Sequence, residues 1–421
     1  MGIEVPETEG VKYAGSKLKL LLPILSIIKE LDVQSVLDGF AGTTRVSQAL
    51  AKCGYQVFAN DLSFWSGIFG CCYLLNKKKA SAYFPLIDHL NHLSPVDGWF
   101  TENYGGYSNN GSSIQSDGLK KPWQIHNTRK LDAIRAEIDR LALSTIERAV
   151  ALTSLILALD AVDNTVGHYA AYLNHWSPRS FHLLQLNVPH VFPNDRDNYV
   201  FCGDIFEAIE SFNFFHSFSN ETSWLNRGKL NEDSLFNEIF SFGNRPFYSE
   251  RKRIVNKSCS NKHFIDLAYY DPPYGSNNSK MPPSRIRYAA YYHLWQTVCL
   301  NDKPKLFGRA KRRADSSDCL AHSVFEDFRC NENGRFVVID AIDRLIAQTP
   351  SRWILLSYSS SGRATATELN EVLQKHGRLI KILSIQYRKN VMAQMTSTKD
   401  WISNVDMPHQ EFLFLLEKNG S

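Results

Sequence analysis

The stretch Ser35 to Ala59 constrains the fold of this 421-residue chain more than any other. Ser35-Val36-Leu37-Asp38 is a short apolar run closed by an acid, and Gly39-Phe40-Ala41-Gly42-Thr43-Thr44 reads as a turn. Val46 to Cys53 has helical spacing, and Gln56-Val57-Phe58-Ala59 is apolar again. Strand, turn, helix and strand in this order form the first βαβ unit of a parallel sheet, so an α/β fold is expected. Gly39 and Gly42 let backbone approach a ligand closely, and Asn60-Asp61 puts an acid at the end of the second strand, where such sheets hold a ribose diol. The glycine pattern is loose, and a plain strand-to-helix turn explains it equally well.

A second feature speaks to chemistry. The run Phe264-Ile265-Asp266-Leu267-Ala268-Tyr269-Tyr270 ends in Asp271-Pro272-Pro273-Tyr274. If the run is a strand, Asp271 lies at its carboxyl edge, where open α/β sheets place ligands. Its carboxylate and the Pro272 carbonyl each accept a hydrogen from a planar NH2 group, leaving nitrogen density facing a donor. Two prolines stiffen the turn, and Tyr274 offers a face for stacking on a flat base. A base inside a duplex is out of reach of such a clamp, so the site implies a flipped-out nucleotide. An ordinary proline-rich turn after a strand is the alternative.

The remaining segments frame these two. Residues 77–195 break the strand-helix alternation, with Leu131 to Asp160 reading as one or two long helices behind a loop rich in Gly, Ser and Asn, Thr101 to Gly118. Asn198 to Asp204 reads as a returning strand with an acid at its end. The expected division is a sheet domain from 11–76, 196–207 and 263–421, a helical insertion at 77–195 and an irregular insertion at 208–262. After the proline turn come a helix through Tyr288 to Leu300, a helix near Asp340 to Gln348, a strand Trp353 to Tyr358, a helix Ala366 to Gly377, a strand Ile380 to Tyr387 and an apolar run Phe412 to Leu416. The formal net charge is only +4, so nucleic-acid binding has to rest on local clusters. Eight cysteines without CxxC pairing argue against a zinc site or a disulfide framework and fit a reducing cytoplasm; no metal is expected. Met1 to Gly10 has no apolar core, so no signal peptide is expected, and no apolar stretch is long enough to span a bilayer.

Lys12-Tyr13-Ala14-Gly15-Ser16-Lys17, Asp38-Gly39-Phe40-Ala41-Gly42-Thr43, Asp61 and Asp271-Pro272-Pro273-Tyr274 stand in one order along the chain. That order resembles the Dam-type (alpha group) adenine-specific DNA amino methyltransferases. Tyr288-Ala289-Ala290-Tyr291-Tyr292-His293-Leu294 also looks like the segment that follows the proline turn in that family. The resemblance implies a Rossmann-like S-adenosylmethionine-dependent methyltransferase sheet, with 77–195 as target-recognition insertion. It implies that Tyr13 and Lys17 contact S-adenosylmethionine, and that the turn from Asp38 through Phe40 to Gly42 cradles its methionine end. Asp61 then binds the ribose, and Asp204 with Ile205 the adenine ring. Asp271, Pro272 and Pro273 hold the target amine, with Tyr274 stacked on the base. Two departures stand out: Gly42 is followed by Thr43-Thr44 instead of a further glycine, and 208–262 is longer than the family pattern suggests.

The resemblance further implies site-specific methyl transfer to adenine in double-stranded DNA within a restriction-modification or related defence system, with a cognate restriction endonuclease as partner and a monomeric, cytoplasmic enzyme. An amino methyltransferase acting on RNA or on the exocyclic amine of cytosine is the alternative; a binding relative that has lost catalysis is disfavoured because the motif residues all remain. Methylation of a cytosine ring carbon is disfavoured too, because the chain has no Pro-Cys dipeptide. For DNA contacts, the loop Lys303 to Arg313 offers Lys311, Arg312 and Arg313 as phosphate ligands, with a solvated charged loop as the equal alternative. Asn164 and Arg179, in a stretch of aromatic, amide and basic groups, suit base readout or helix packing alike. His293 has no acid at helical spacing and is expected in the core. Ser357 to Arg363 is read as a strand-end turn, with a place at the target pocket as the alternative.

Overall fold

The computed structural model describes residues 4–210, 265–275, 287–317, 323–387 and 409–419. The predicted βαβ unit is present: β1 (Ser35–Asp38) pairs in parallel with β2 (Gln56–Asp61) through Val36 with Val57 and Leu37 with Phe58, and the helix Arg45–Lys52 connects them. Two-residue strands β3 (Gly105–Gly106) and β4 (Trp123–Gln124) pair with each other. Then come β5 (Tyr199–Cys202), β6 (Ile265–Tyr270), a hairpin of β7 (Leu306–Phe307) and β8 (Arg312–Arg313), and three longer strands, β9 (Ser351–Ser359), β10 (Gly377–Tyr387) and β11 (His409–Lys418).

Seven of these form one sheet in the order β10-β11-β9-β6-β1-β2-β5. The five from β9 to β5 run parallel, and β11 lies antiparallel between β9 and β10. All four residues of β1 are buried, as expected for a central parallel strand covered on both faces. Side-chain alternation sends the strands into two cores. Val36, Val57, Leu267, Tyr269, Leu355, Leu413 and Leu415 join one, while Leu37, Phe58, Ala268, Tyr270, Ile354, Leu356, Phe414 and Leu416 join the other. The helices Leu21–Lys29, Arg45–Lys52 and Phe64–Leu74 cover the first face, and Val337–Gln348 and Ala366–His376 the second.

The helical segment is no appendage. Its helices Ile125–Arg140 and Thr145–Ala161 bury Leu131, Ile134, Leu152 and Leu155 in the same cluster as the first sheet face. The two are separated at Ser144, which accepts the Glu147 backbone N–H while Glu147 bonds back to the Ser144 backbone, a capping box legible in the Ser-Thr-Ile-Glu order. The helix expected through Tyr288 to Leu300 is split into Tyr288–Tyr291 and His293–Leu300 around Tyr292. Most of the irregular insertion at 208–262 lies outside the described residues. Among the described residues no helix is long and apolar enough to cross a membrane, and no cluster of three or more His, Cys, Asp or Glu side chains suits a metal.

Candidate active site

The turn after β1 is held by backbone. Gly39 N–H donates to the Tyr269 carbonyl (3.0 Å) and Ala41 N–H to that of Asn60 (2.9 Å), which ties the turn to both neighbouring strands. Gly42 N–H donates to Asp61 Oδ2 and Ser63 N–H to Asp61 Oδ1, each at 2.8 Å. Gly42 has φ +49°, which favours glycine, and a Cβ there would press to 3.1 Å from the Tyr13 ring. Beneath the turn, Asp38 accepts the Ser47 hydroxyl at 2.6 Å, while its other oxygen is buried without a hydrogen-bond partner. Burial, reinforced by the charges of Asp271 and Asp61, pushes the Asp38 carboxyl up to about 7. Asn60 likewise has a buried side-chain oxygen with no partner.

The proline turn is held by side chains instead. At the end of β6, Asp271 Oδ1 pairs with Lys17 Nζ at 3.0 Å, and the same ammonium lies 3.2 Å from Glu411 Oε1 of β11. The Tyr274 hydroxyl lies within hydrogen-bond reach of both carboxylates and has one proton to donate between them, and Ser357 Oγ donates to Glu411 at 2.8 Å. Lys17 Nζ sits 4.8 Å from the Tyr274 ring centroid, and the Tyr358 ring packs against Tyr274 at 4.7 Å. The Tyr274 carbonyl accepts the Arg363 backbone N–H at 3.0 Å, which fixes the far side of the turn. Burial raises the Asp271 carboxyl above its ordinary range against the pull of Lys17, and Glu411 adds to the rise.

The N-terminal segment closes the space between these turns. Tyr13 stacks on Tyr292 at 4.7 Å and meets Trp65 edge-on at 5.7 Å. Ala14 N–H donates to the Tyr292 hydroxyl at 2.7 Å, and the Tyr288 hydroxyl to the Ala14 carbonyl at 3.2 Å, so the segment after the proline turn anchors the start of the chain. The result is one cleft with about 1210 Å³ of empty space, open mouth included. Tyr13, Lys17, Phe40, Asp61, Asp204, Ile205 and Asp271 through Tyr274 all line it; Asp38 and Gly42 do not. One oxygen of Asp204 accepts the Phe206 N–H at 2.9 Å.

Two acids at the cleft and one behind it were not among the expected residues. Glu411 is wholly buried in a strand whose neighbours are apolar, and an acid at such a position was the available signal. Glu326 accepts the Tyr288 backbone N–H at 2.9 Å and is pushed to about 7 by burial; its Ser323-x-x-Glu326 capping box was readable. Asp315 edges the cleft beside Arg313. Ser357, expected in a strand-end turn, lies within β9 and reaches the carboxylates.

The expected DNA contacts divide. Arg313 is buried, its guanidinium shared by Asp302 and Asp315 at 2.7 Å each. Asn164 is buried and accepts the Ser177 N–H at 2.8 Å, and Arg179 pairs with Asp163 and donates to two backbone carbonyls. These three groups are satisfied inside the protein. Lys311 and Arg312 are partly exposed; Lys311 reaches the Asn103 side chain at 3.2 Å, and Arg312 lies 4.8 Å over Phe307. His293 is in the core as expected, its Nε2 3.1 Å from the Tyr169 carbonyl.

A mixed α/β fold with a mostly parallel sheet and a cleft at its carboxyl edge is consistent with a methyltransferase. Residues 13–215 match the family model of the D12 class N6 adenine-specific DNA methyltransferases. The modification methylase StsI of Streptococcus sanguinis is 27% identical over 410 residues, covering 93% of this chain and 50% of the relative. The type II methyltransferase M.FokI of Planomicrobium okeanokoites is 25% identical over 399 residues, covering 90% and 49%. The type II methyltransferase M.NlaIII of Neisseria lactamica is 23% identical over 417 residues, covering 97% and 99%. The chain thus spans about half the length of the first two and nearly all of the third.

Proposed function

We propose that this protein is a site-specific DNA methyltransferase that transfers a methyl group from S-adenosylmethionine to the exocyclic amine of an adenine flipped out of duplex DNA. One observation carries the reading: Asp271, at the end of β6, opens into the same cleft as Lys17, Asp61 and Asp204. An amine acceptor and a set of groups suited to a charged nucleoside therefore share one space.

The residues present fit such a cofactor. Two buried oxygens without partners, on Asp38 and Asn60, lie in the strand ends below the turn, and Asn60 lines the cleft. Tyr13 and Lys17 would contact it from the N-terminal segment, the turn from Asp38 through Phe40 to Gly42 would cradle its methionine end, Asp61 would hold its ribose hydroxyls, and Asp204 with Ile205 its adenine. Bound there, S-adenosylmethionine supplies a sulfonium methyl for direct attack by the amine. Asp271 and the Pro272 carbonyl accept the two amine hydrogens, and Tyr274 holds the base plane. Orientation of this kind is worth about 7–11 kcal/mol at best. Extrusion of the base costs a few kcal/mol, which stacking and hydrogen bonds in the cleft offset.

In this reading residues 11–76, 196–207 and 263–421 form a Rossmann-like catalytic domain, and 77–195 supplies target recognition. Lys311 and Arg312 face phosphates. The modification and type II names of the relatives support a place in a restriction-modification system beside a cognate endonuclease, with a monomeric enzyme in the cytoplasm. The test is to incubate the purified chain with labelled S-adenosylmethionine and unmethylated DNA and digest the product to nucleosides. Label in methyladenine is expected. Label in methylcytosine or only in RNA favours the other amino methyltransferase readings, and no transfer to any substrate sinks the proposal.

A further inference from the structure

We infer that Glu411 of β11 is a positioning residue for the amine clamp, serving as the second acceptor that lets Asp271 exchange its partners. The inference rests on the amino methyltransferase reading and deepens it. Asp271 Oδ1 receives both the Lys17 ammonium and the Tyr274 hydroxyl, so an incoming amine has to compete with two donors already in place. Glu411 Oε1 receives the same two donors, together with Ser357 Oγ. When an amine takes Asp271, Lys17 and Tyr274 keep a carboxylate partner. Without it, substrate entry would take the carboxylate acceptor from both donors.

The position of Glu411 supports a role beyond packing. It is 0% exposed, in register with Ser359 on one side and Ile385 on the other, and Leu413 and Leu415 follow on its face of the strand. A buried ionised group is a poor source of stability compared with an apolar residue of similar size, so an acid in this row has to be accounted for by what it touches. It touches the clamp and the cation of the cofactor side at once. The groups around Asp271 are Lys17 from the N-terminal segment, Asp38 from β1, Glu411 from β11, Tyr269 and Tyr274 on its own strand and turn, and Tyr13 and Tyr288 from the facing wall.

The test uses the full chain with duplex DNA and S-adenosylmethionine. Glu411→Gln keeps an acceptor oxygen and removes the charge. Its kcat is expected to fall about 10- to 100-fold, with KM for DNA and Kd for cofactor within about threefold of wild type. The acid limb of kcat against pH is expected to move to lower pH, because a like charge has left the surroundings of Asp271. Ser357→Ala, which removes one donor from Glu411, is expected to lower kcat about 2- to 10-fold. Wild-type kcat in a folded Glu411→Gln protein overturns the inference, as does a lowered kcat with an unmoved acid limb. If Glu411→Gln does not fold, Ser357→Ala decides, and wild-type kcat there overturns it. A wild-type protein that methylates nothing refutes the function itself.

Discussion

Asp61 and Asp271 end two parallel strands at the same edge of the sheet, yet their carboxylates are held in different ways. Asp61 accepts two backbone N–H groups, from Gly42 and Ser63, and these cannot leave unless the turn unfolds. Asp271 accepts a lysine and a tyrosine hydroxyl, which leave by rotating side-chain bonds. One acid is built to keep its geometry, and the other to change partners. The proposed function uses both: a fixed acceptor suits a group bound the same way in each turnover, and an exchangeable one suits an amine that enters and leaves with its DNA.

The comparison breaks first at Asp271. Replacing it with alanine is expected to lower methyl transfer by about 10³-fold, as for loss of a principal electrostatic group in an active site. Calorimetric Kd for S-adenosylmethionine should stay within about threefold; a parallel loss of cofactor affinity would merge the two halves of the cleft. Gly42→Ala should do the reverse. Its positive φ and the Tyr13 contact cost about 1–3 kcal/mol, so cofactor binding should weaken by roughly 10-fold or more, with kcat retained at saturating cofactor.

A pH profile sharpens the distinction further. Asp271 must be ionised to accept an amine hydrogen, and burial raises its carboxyl, so kcat should decline toward acid with a midpoint above the usual carboxylate range of about 4. A further pH effect, on stability instead of rate, is expected at Asp38. Its folded value of about 7 lies above the unfolded one near 4, so the folded protein binds the extra proton across that window. The Asp38 contribution is present below pH 4 and is lost as pH rises toward 7. Thermal melts of the cofactor-free protein should therefore drop with pH across this range more steeply for wild type than for Asp38→Asn, by at most about 1.4 kcal/mol per pH unit.

The fold was legible where pattern is local. The β1-turn-helix-β2 unit and the strands around Tyr199, Trp353 and Phe412 follow from short apolar runs bounded by turn residues, and β9 to β11 merely extend beyond the predicted limits. The site acids at strand ends were legible for the same reason, since an acid after an apolar run marks an edge. Glu411 was not, because its role comes from β11 slotting between β9 and β10, a pairing that no local window contains. The basic loop offered Arg313 as a phosphate ligand, and Asn164 suited base readout or helix packing alike; the partners Asp302, Asp315 and Ser177 show both to be internal braces.

The insertion of β11 between β9 and β10 also bears on timing during synthesis. A chain that has left the ribosome only as far as β9 can assemble the cleft walls from the N-terminal segment, the β1 turn and the proline turn. It still lacks the acid that Lys17 and Tyr274 share with Asp271, and β9 has an unpaired edge. Lys17 and Glu411, 394 residues apart in the sequence, meet in an ion pair, so the finished network forms only after β11 has been made. A nascent copy would thus complete this carboxylate network at the same moment as β11 covers the edge of β9.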